Sequence, residues 1–281
     1  MEYTTYIPER NETNSPPSIS SQLTELKAEH EHHEKWVNEI LKKAELDKIS
    51  DIKLLRADLD HQKKLIDGLL KASHLRNCNE ARSSKVYDIV IPNFSSQPFS
   101  VACDAETQGG NWTVILRRMD GSVNFNRTWN AFKKGFGDLG GEFFLGLDKI
   151  HAMTAERNQE LLVVLEDFEG TESFETYDSF AIGDEDEQYV LHKLGKANGT
   201  AGDSLRLHYG MKFSSQDRDN DIGDGHCAND FNGAWWHQFC HRSNLMGKYN
   251  DTTEGKGVIW QDFRGKEYSL KRAVMMIRPG K

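Results

Sequence analysis

The sequence predicts an α+β protein in two unequal parts, an N-terminal helix of coiled-coil type followed by a larger mixed head. Three observations predict this. Aromatic residues are almost confined to the downstream part, for between Glu12 and Lys85 only Trp36 occurs. Apolar or seam-compatible residues recur every three or four positions from Leu23 to Leu69, the period of one helix face. After His74, β-branched and aliphatic runs with frequent glycine replace that pattern, as strands and turns require.

The first element, residues 1–20, contains Pro8, Pro16 and Pro17 among Ser, Asn and Thr. With so little apolar material to offset the entropy of ordering, it reads as a flexible leader. It opens Met1-Glu2-Tyr3, without the basic and apolar regions of a secretory signal. For a secreted protein the expectation is therefore a mature segment carrying an added Met.

Residues 21–75 read as a coiled-coil oligomerisation helix, free of proline to Ser73 and rich in Leu, Lys, Glu, Asp and Ala. Its seam runs Leu23, Leu26, His30, His33, Val37, Ile40, Ala44, then Ile52, Leu55, Leu59, Gln62, Ile66, Leu69. The one-position offset between the two runs, near Glu45–Lys48, alters the winding of a coiled coil without ending it. At 1.5 Å per residue such a helix is roughly 75 Å long. One apolar seam persists only when covered, so homo-oligomerisation follows; a charged helix folded back on the head covers it equally. The seam residues leave dimer and trimer open. The stretch Glu29-His30-Glu31-His32-His33-Glu34 fails the zincin pattern, because the fourth residue after His30 is Glu34 and after His33 is Val37. Instead, His30 and His33 predict a stalk that loosens when protonated, since charge on a packed seam is costly.

The head, residues 76–281, begins with strand-like alternation at Val86–Ile91 and continues with the runs Trp112–Leu116 and Leu161–Leu165. Trp129–Phe132 and Leu147–Met153 suit short helices. The four cysteines form no C-x-x-C motif. They permit three pairings, of which the nearest-neighbour one, Cys78–Cys103 with Cys227–Cys240, is preferred; free buried thiols remain the alternative. Asn-x-Ser/Thr sequons at Asn11, Asn93, Asn111, Asn126, Asn198 and Asn250 favour an extracellular address. Asn111 and Asn126 fall in strand-like stretches and are expected to be unused.

Bulk properties exclude several function classes. A net charge of −9 disfavours nucleic acid, whose binding rests on clustered Lys and Arg. No apolar run is long enough for a membrane span. No G-x-S-x-G elbow occurs and no nucleophile is placed beside a histidine, so an enzyme is not expected.

The most informative segment is Asp217-Arg218-Asp219-Asn220-Asp221-Ile222-Gly223-Asp224-Gly225, whose alternate acids can aim oxygens at a hard cation such as Ca²⁺. An EF-hand is excluded, because its sixth and twelfth positions are Ile222 and Ala228. A merely solvated acidic loop fits the spacing too. Cys227, Gly233-Ala234-Trp235-Trp236 and Cys240-His241 follow. The paired tryptophans suit either a sugar-stacking surface or a core.

From Arg76 to Pro279 the chain resembles the fibrinogen-related domains of ficolins, tachylectins and invertebrate fibrinogen-related immune proteins. The matching pieces are Gly109–Ile115, Asp120–Phe125, Gly135–Gly137, Gly141–Leu147, the DRDND loop, GAWW, Cys240–Leu245 and Tyr268–Lys271. The resemblance implies a fibrinogen C-terminal-like domain with a central antiparallel sheet and the same disulfide pairing. It implies calcium on the carboxylates of Asp217 and Asp219 and the carbonyls of Asp221 and Gly223. It also implies a ligand pocket between that loop and the second disulfide. There a cis bond joins Phe239 to Cys240, the amides of Cys240 and His241 face the ligand's carbonyl oxygen, and Phe231 walls its methyl group. If His241 lines this pocket, its titration near neutral pH makes binding pH-dependent; the other reading is a structural histidine.

Two departures bear on ligand choice. Lys256 stands where the fibrinogen γ-chain hole carries an acid, which disfavours clot-type polymerisation. The loop from Tyr249 to Lys256 is shorter than in ficolins and lacks their second pocket aromatic, which leaves acetyl selectivity open. The expectation is a secreted, oligomeric, calcium-stabilised lectin-like protein of innate immunity that binds microbial or host glycans, acetylated ones first, with avidity supplied by the stalk. The alternative is a receptor ligand or matrix protein of angiopoietin or tenascin type.

Overall fold

The computed structural model describes residues 19–43, 49–73 and 75–280. Two compact units divide the chain, one ending at Ser73 and one starting at His74. In the first, the helices α1 (Ile19–Lys43) and α2 (Ile49–Ser73) replace the single long helix expected from the sequence. Leu23 packs with Ile66, and His33 Nδ1 lies 3.2 Å from Gln62 Oε1. The partner number falls as the α1 number rises, so the two helices run antiparallel and cover part of their seam within one chain. The two offset apolar runs are the sequence trace of these two helices. The slip at Glu45–Lys48 and residues 1–18 of the expected leader lie outside the described residues, and Ile19 and Ser20 begin α1. Leu26, Trp36, Leu54, Leu65 and Leu69 stay exposed.

The second unit is built on an antiparallel sheet. In sequence order it contains β1 (Lys85–Ile89), β2 (Phe99–Asp104), β3 (Trp112–Arg118), α3 (Trp129–Lys134), β4 (Phe136–Gly137), β5 (Phe143–Phe144) and α4 (Leu147–Glu156). Next come β6 (Gln159–Glu166), β7 (Glu172–Ile182), β8 (Leu191–Leu194), β9 (Ala197–Gly199), α5 (Cys227–Asp230), β10 (Ser243–Asn244), β11 (Ile259–Trp260), α6 (Gln261–Arg264) and β12 (Arg272–Pro279). The main path is β1-β2-β3-β12-β6-β7-β8. The last strand thus sits in the middle, between β3 and β6. Its unbroken Ala-Val-Met-Met-Ile run is buried, the mark of a strand covered on both faces. Helix α4 packs against β7, and Trp236 from the loop-rich C-terminal lobe meets Phe180 of β7 edge-on at 6.4 Å.

The three strand runs and two short helices read from the sequence fall in β1, β3, β6, α3 and α4, and both expected disulfides are present, Cys78–Cys103 and Cys227–Cys240. Asn111 and Asn126 lie outside the strands expected to hold them. Asn111 is an exposed turn residue with φ +68° ahead of β3, and Asn126 lies in an exposed loop. Asn93, Asn198 and Asn250 are exposed as well, and Asn11 lies outside the described residues.

Candidate functional site

The C-terminal lobe, from about residue 206 to 271, has little regular structure, so its backbone is positioned by buried side chains. Trp235 and Trp236 are its pillars, at 0% and 1% exposure. This corrects the sugar-stacking alternative: neither indole face reaches solvent. Trp236 Nε1 donates to Tyr189 O at 2.8 Å, and the backbones of Trp235 and Ser214 bond each other in both directions. Asn244 Nδ2 donates to Phe231 O at 3.1 Å and Gly255 O at 3.4 Å, drawing two loops together.

The acidic loop is pinned from inside by Asp221. Its two oxygens accept from the amides of Gly223 and Cys227, at 2.8 and 2.9 Å. Burial pushes its carboxyl pKa up, as does the neighbouring charge of Asp219, against the lowering effect of those amides. Asp217 Oδ1 accepts from Trp129 N at 2.7 Å and Ser215 Oγ at 2.8 Å, while Asp219 Oδ1 accepts from Asp221 N at 3.1 Å. Both residues are solvent-exposed. Among the described residues no three His, Cys, Asp or Glu side chains converge as a cage. Two exposed carboxylates one residue apart, beside an irregular backbone, do suit a hard cation completed by carbonyls and water.

Beside this loop lies a cleft of about 330 Å³ lined by Phe231, Phe239, Cys240, His241, Glu254, Gly255 and Lys266. The structure therefore brings together all four predicted ligand-site residues. The Phe239–Cys240 peptide is cis. Neither the Cys240 nor the His241 amide donates to another protein group, which leaves both for a ligand. Phe231 meets His241 edge-on at 4.8 Å. Gly255, at φ +76°, completes the wall: a Cβ there would stand 2.6 Å from Phe231 Cδ1 and 3.2 Å from His241 Nε2. At the rim, Phe239 and Ile222 are 73% and 65% exposed.

His241 departs from expectation in its titration. It lines the cleft yet is buried. Burial, aided by His237, His208 and Lys266, pushes its pKa down to about 3. The ring is neutral throughout the physiological range and is no switch there. Sequence reasoning missed Glu254, Gly255 and Lys266, which lie in loops without periodicity. Only the glycine, forced by close approach, left a local trace.

The sequence signature described as "Fibrinogen beta and gamma chains, C-terminal globular domain" matches residues 73–280. Ryncolin-4 of Cerberus rynchops is 50% identical over 184 residues, covering 64% of this chain and 53% of that protein. Tenascin-R of Mus musculus is 43% identical over 209 residues, covering 74% of this chain and 15% of the relative. The chain thus spans about half the length, or less, of these relatives. The fibrinogen-like globe domain of human ANGPTL2 superposes with a TM-score of 0.71 at 41% identity, covering 74% of this chain and all of that domain.

Proposed function

The protein belongs to the fibrinogen family of C-terminal globular domains, the kind found in the beta and gamma chains, and we propose that it is a secreted, oligomeric, calcium-stabilised lectin-like protein that recognises microbial-surface glycans in innate immunity. The observation that carries this reading is the cleft at Phe231, Cys240 and His241. Two unused main-chain amides lie beside an aromatic wall, next to an acidic loop. That arrangement suits a small acyl group: the amides bind its carbonyl oxygen and the phenyl face covers its methyl. A neutral, buried His241 supplies shape without charge.

Calcium would be held by the carboxylates of Asp217 and Asp219 with the carbonyls of Asp221 and Gly223. Bound there, it neutralises the acids and fixes the loop. Lys266 and Glu254 place both charge signs at the mouth, so the cleft favours neutral or zwitterionic ligands over strong anions. The exposed Leu26, Trp36, Leu54, Leu65 and Leu69 of the helical unit support assembly of several copies, which multiplies weak single-site affinity. No described helix is long and apolar enough to cross a membrane, in keeping with a secreted protein.

The test is binding of the purified protein to N-acetylated sugars and whole microbial surfaces, with calcium or EDTA, alongside an Asp217→Ala, Asp219→Ala double variant. Calcium-dependent binding competed by acetylated sugar, and lost in the variant, is expected. A folded oligomer that binds nothing acetylated sinks this reading. It would favour the second one, a receptor ligand or matrix protein, which the exposed Phe239–Ile222 pair supports as a protein-contact anchor.

A further inference from the structure

A second cavity in the head, about 650 Å³, lies between the loop 120–126 and the segment 247–249. Its volume falls within the range of small-molecule sites, roughly 300–1,000 Å³. Both walls are held from below. Glu142, fully buried, accepts from the amides of Met119, Asp120, Gly121 and Val123 at 2.8–3.2 Å and pairs with buried Arg118 at 3.4 Å. Tyr249 OH lies 2.9 Å from both Met119 O and Lys271 O, and its ring packs so closely on Gly121 that a Cβ there would stand 2.8 Å away.

The chemistry of the lining is neutral and rich in hydrogen bonds. Asn124 spends Oδ1 on the Asn126 amide, and no protein group takes up its side-chain nitrogen. The carboxamides of Asn126 and Asn232 make no hydrogen bond to the protein, although both line the cavity. Each carboxamide offers two donors and an acceptor, the complement of vicinal hydroxyls. The cations here are already engaged. Arg118 donates to Leu245 O and Gly247 O at 3.0 and 2.7 Å, and the exposed Lys248 lies 3.7 Å from Asp251, which offsets its charge. With Asp120 on the wall, an anion has little to bind.

Asn232 follows Phe231 directly, so this cavity and the acetyl cleft share one stretch of backbone as a wall. We propose that the 120–126/247–249 cavity is a second carbohydrate subsite that takes a neutral sugar ring through Asn124, Asn126 and Asn232, and that the head therefore prefers oligosaccharides to monosaccharides. This rests on the carbohydrate reading above. Two added sugar hydrogen bonds correspond to a gain of about tenfold or more for the longer ligand.

The test titrates the full chain with N-acetylglucosamine and its β1,4-linked dimer and trimer by calorimetry, with hydrogen-exchange mass spectrometry on the same complexes. The comparison variant is Asn126→Ala with Asn232→Gly, the glycine keeping the left-handed φ of +52°, its folding verified by thermal melting. Expected are about tenfold tighter trimer than monomer binding and protection of residues 120–126 and 247–249, both lost in the variant. Protection confined to residues 231–241 overturns the proposal and leaves the acetyl reading standing. Protection confined to 120–126 and 247–249 does the reverse. No protection at either place, or a glycan attached to Asn126 in the native protein, overturns the proposal.

Discussion

Acidification from pH 7 to 5 should destabilise the head steeply, because three buried imidazoles lie beneath the cleft. His208 Nδ1 donates to Trp236 O at 2.7 Å, and Nε2 accepts from the amides of Arg242 and Ser243 at 3.3 and 3.2 Å. A second ring proton would meet two N–H groups. Burial pushes the pKa of His208 down to about 3, against the Trp236 carbonyl. Burial likewise takes His237 down to about 4 and His241 to about 3. With folded values below the ordinary 6.5, the unfolded polypeptide takes up these protons first. The stabilisation is complete above pH 6.5 and is lost as pH falls through the window from 6.5 to between 4 and 3. Between pH 7 and 5 each imidazole forfeits about 2 kcal/mol, and the three together about 6. That is comparable to the whole stability of many domains, about 5–15 kcal/mol. Urea unfolding followed by tryptophan fluorescence at pH 7, 6, 5.5 and 5 reads this directly, since the indoles of the lobe are buried with these histidines. Unchanged stability from pH 7 to 5 would refute the reasoning, as would NMR titration of the three rings with midpoints near 6.5.

Glu142→Gln should lower stability by about 3–5 kcal/mol, the cost of leaving a buried charge unpaired, because burial lowers the Arg118 pKa only to about 10 and the guanidinium stays charged; calorimetric melting checks it. Gly255→Ala should abolish ligand binding in the cleft, since the left-handed φ alone costs about 1–2 kcal/mol and the new methyl displaces Phe231. A crystal structure of that variant with an open cleft would contradict this. Phe239→Ser should shift stability by no more than about 0.5 kcal/mol, as the ring is exposed, yet weaken binding to a glycan-coated surface by biolayer interferometry.

The sheet was legible because its strands carry local signals. Leu161–Leu165 and Trp112–Leu116 are continuous apolar runs bounded by turns, and each becomes a central or near-central strand. The position of β12 between β3 and β6 was not legible, since pairing across more than a hundred residues leaves no local pattern. The helical unit shows the opposite failure. The apolar period was read correctly, but the same stripe serves an unbroken rod and two shorter helices that pair with each other. In the site, Cys240, His241 and the acids stood out by type and through the family resemblance. Glu254 and Lys266 did not, because irregular backbone brings them to the cleft from outside any motif.

That irregularity explains how the lobe holds a site at all. Where no helix or strand fixes the backbone, each bend is held by a polar side chain bonded to main-chain groups: half-buried Asp221 inside the acidic loop, buried Asn244 between Phe231 and Gly255, buried His208 beneath Arg242 and Ser243, and, outside the lobe, buried Glu142 under the 119–123 loop. Each such group is costly to leave unpartnered and can be disabled by a single proton or a single substitution. The cleft and the neighbouring cavity share the Phe231–Asn232 backbone, which Asn244 holds in place. Loosening that one carboxamide therefore disturbs both cavities together, whereas loosening Glu142 acts on the second cavity, through the 120–126 loop and through Arg118, which holds Leu245 O and Gly247 O.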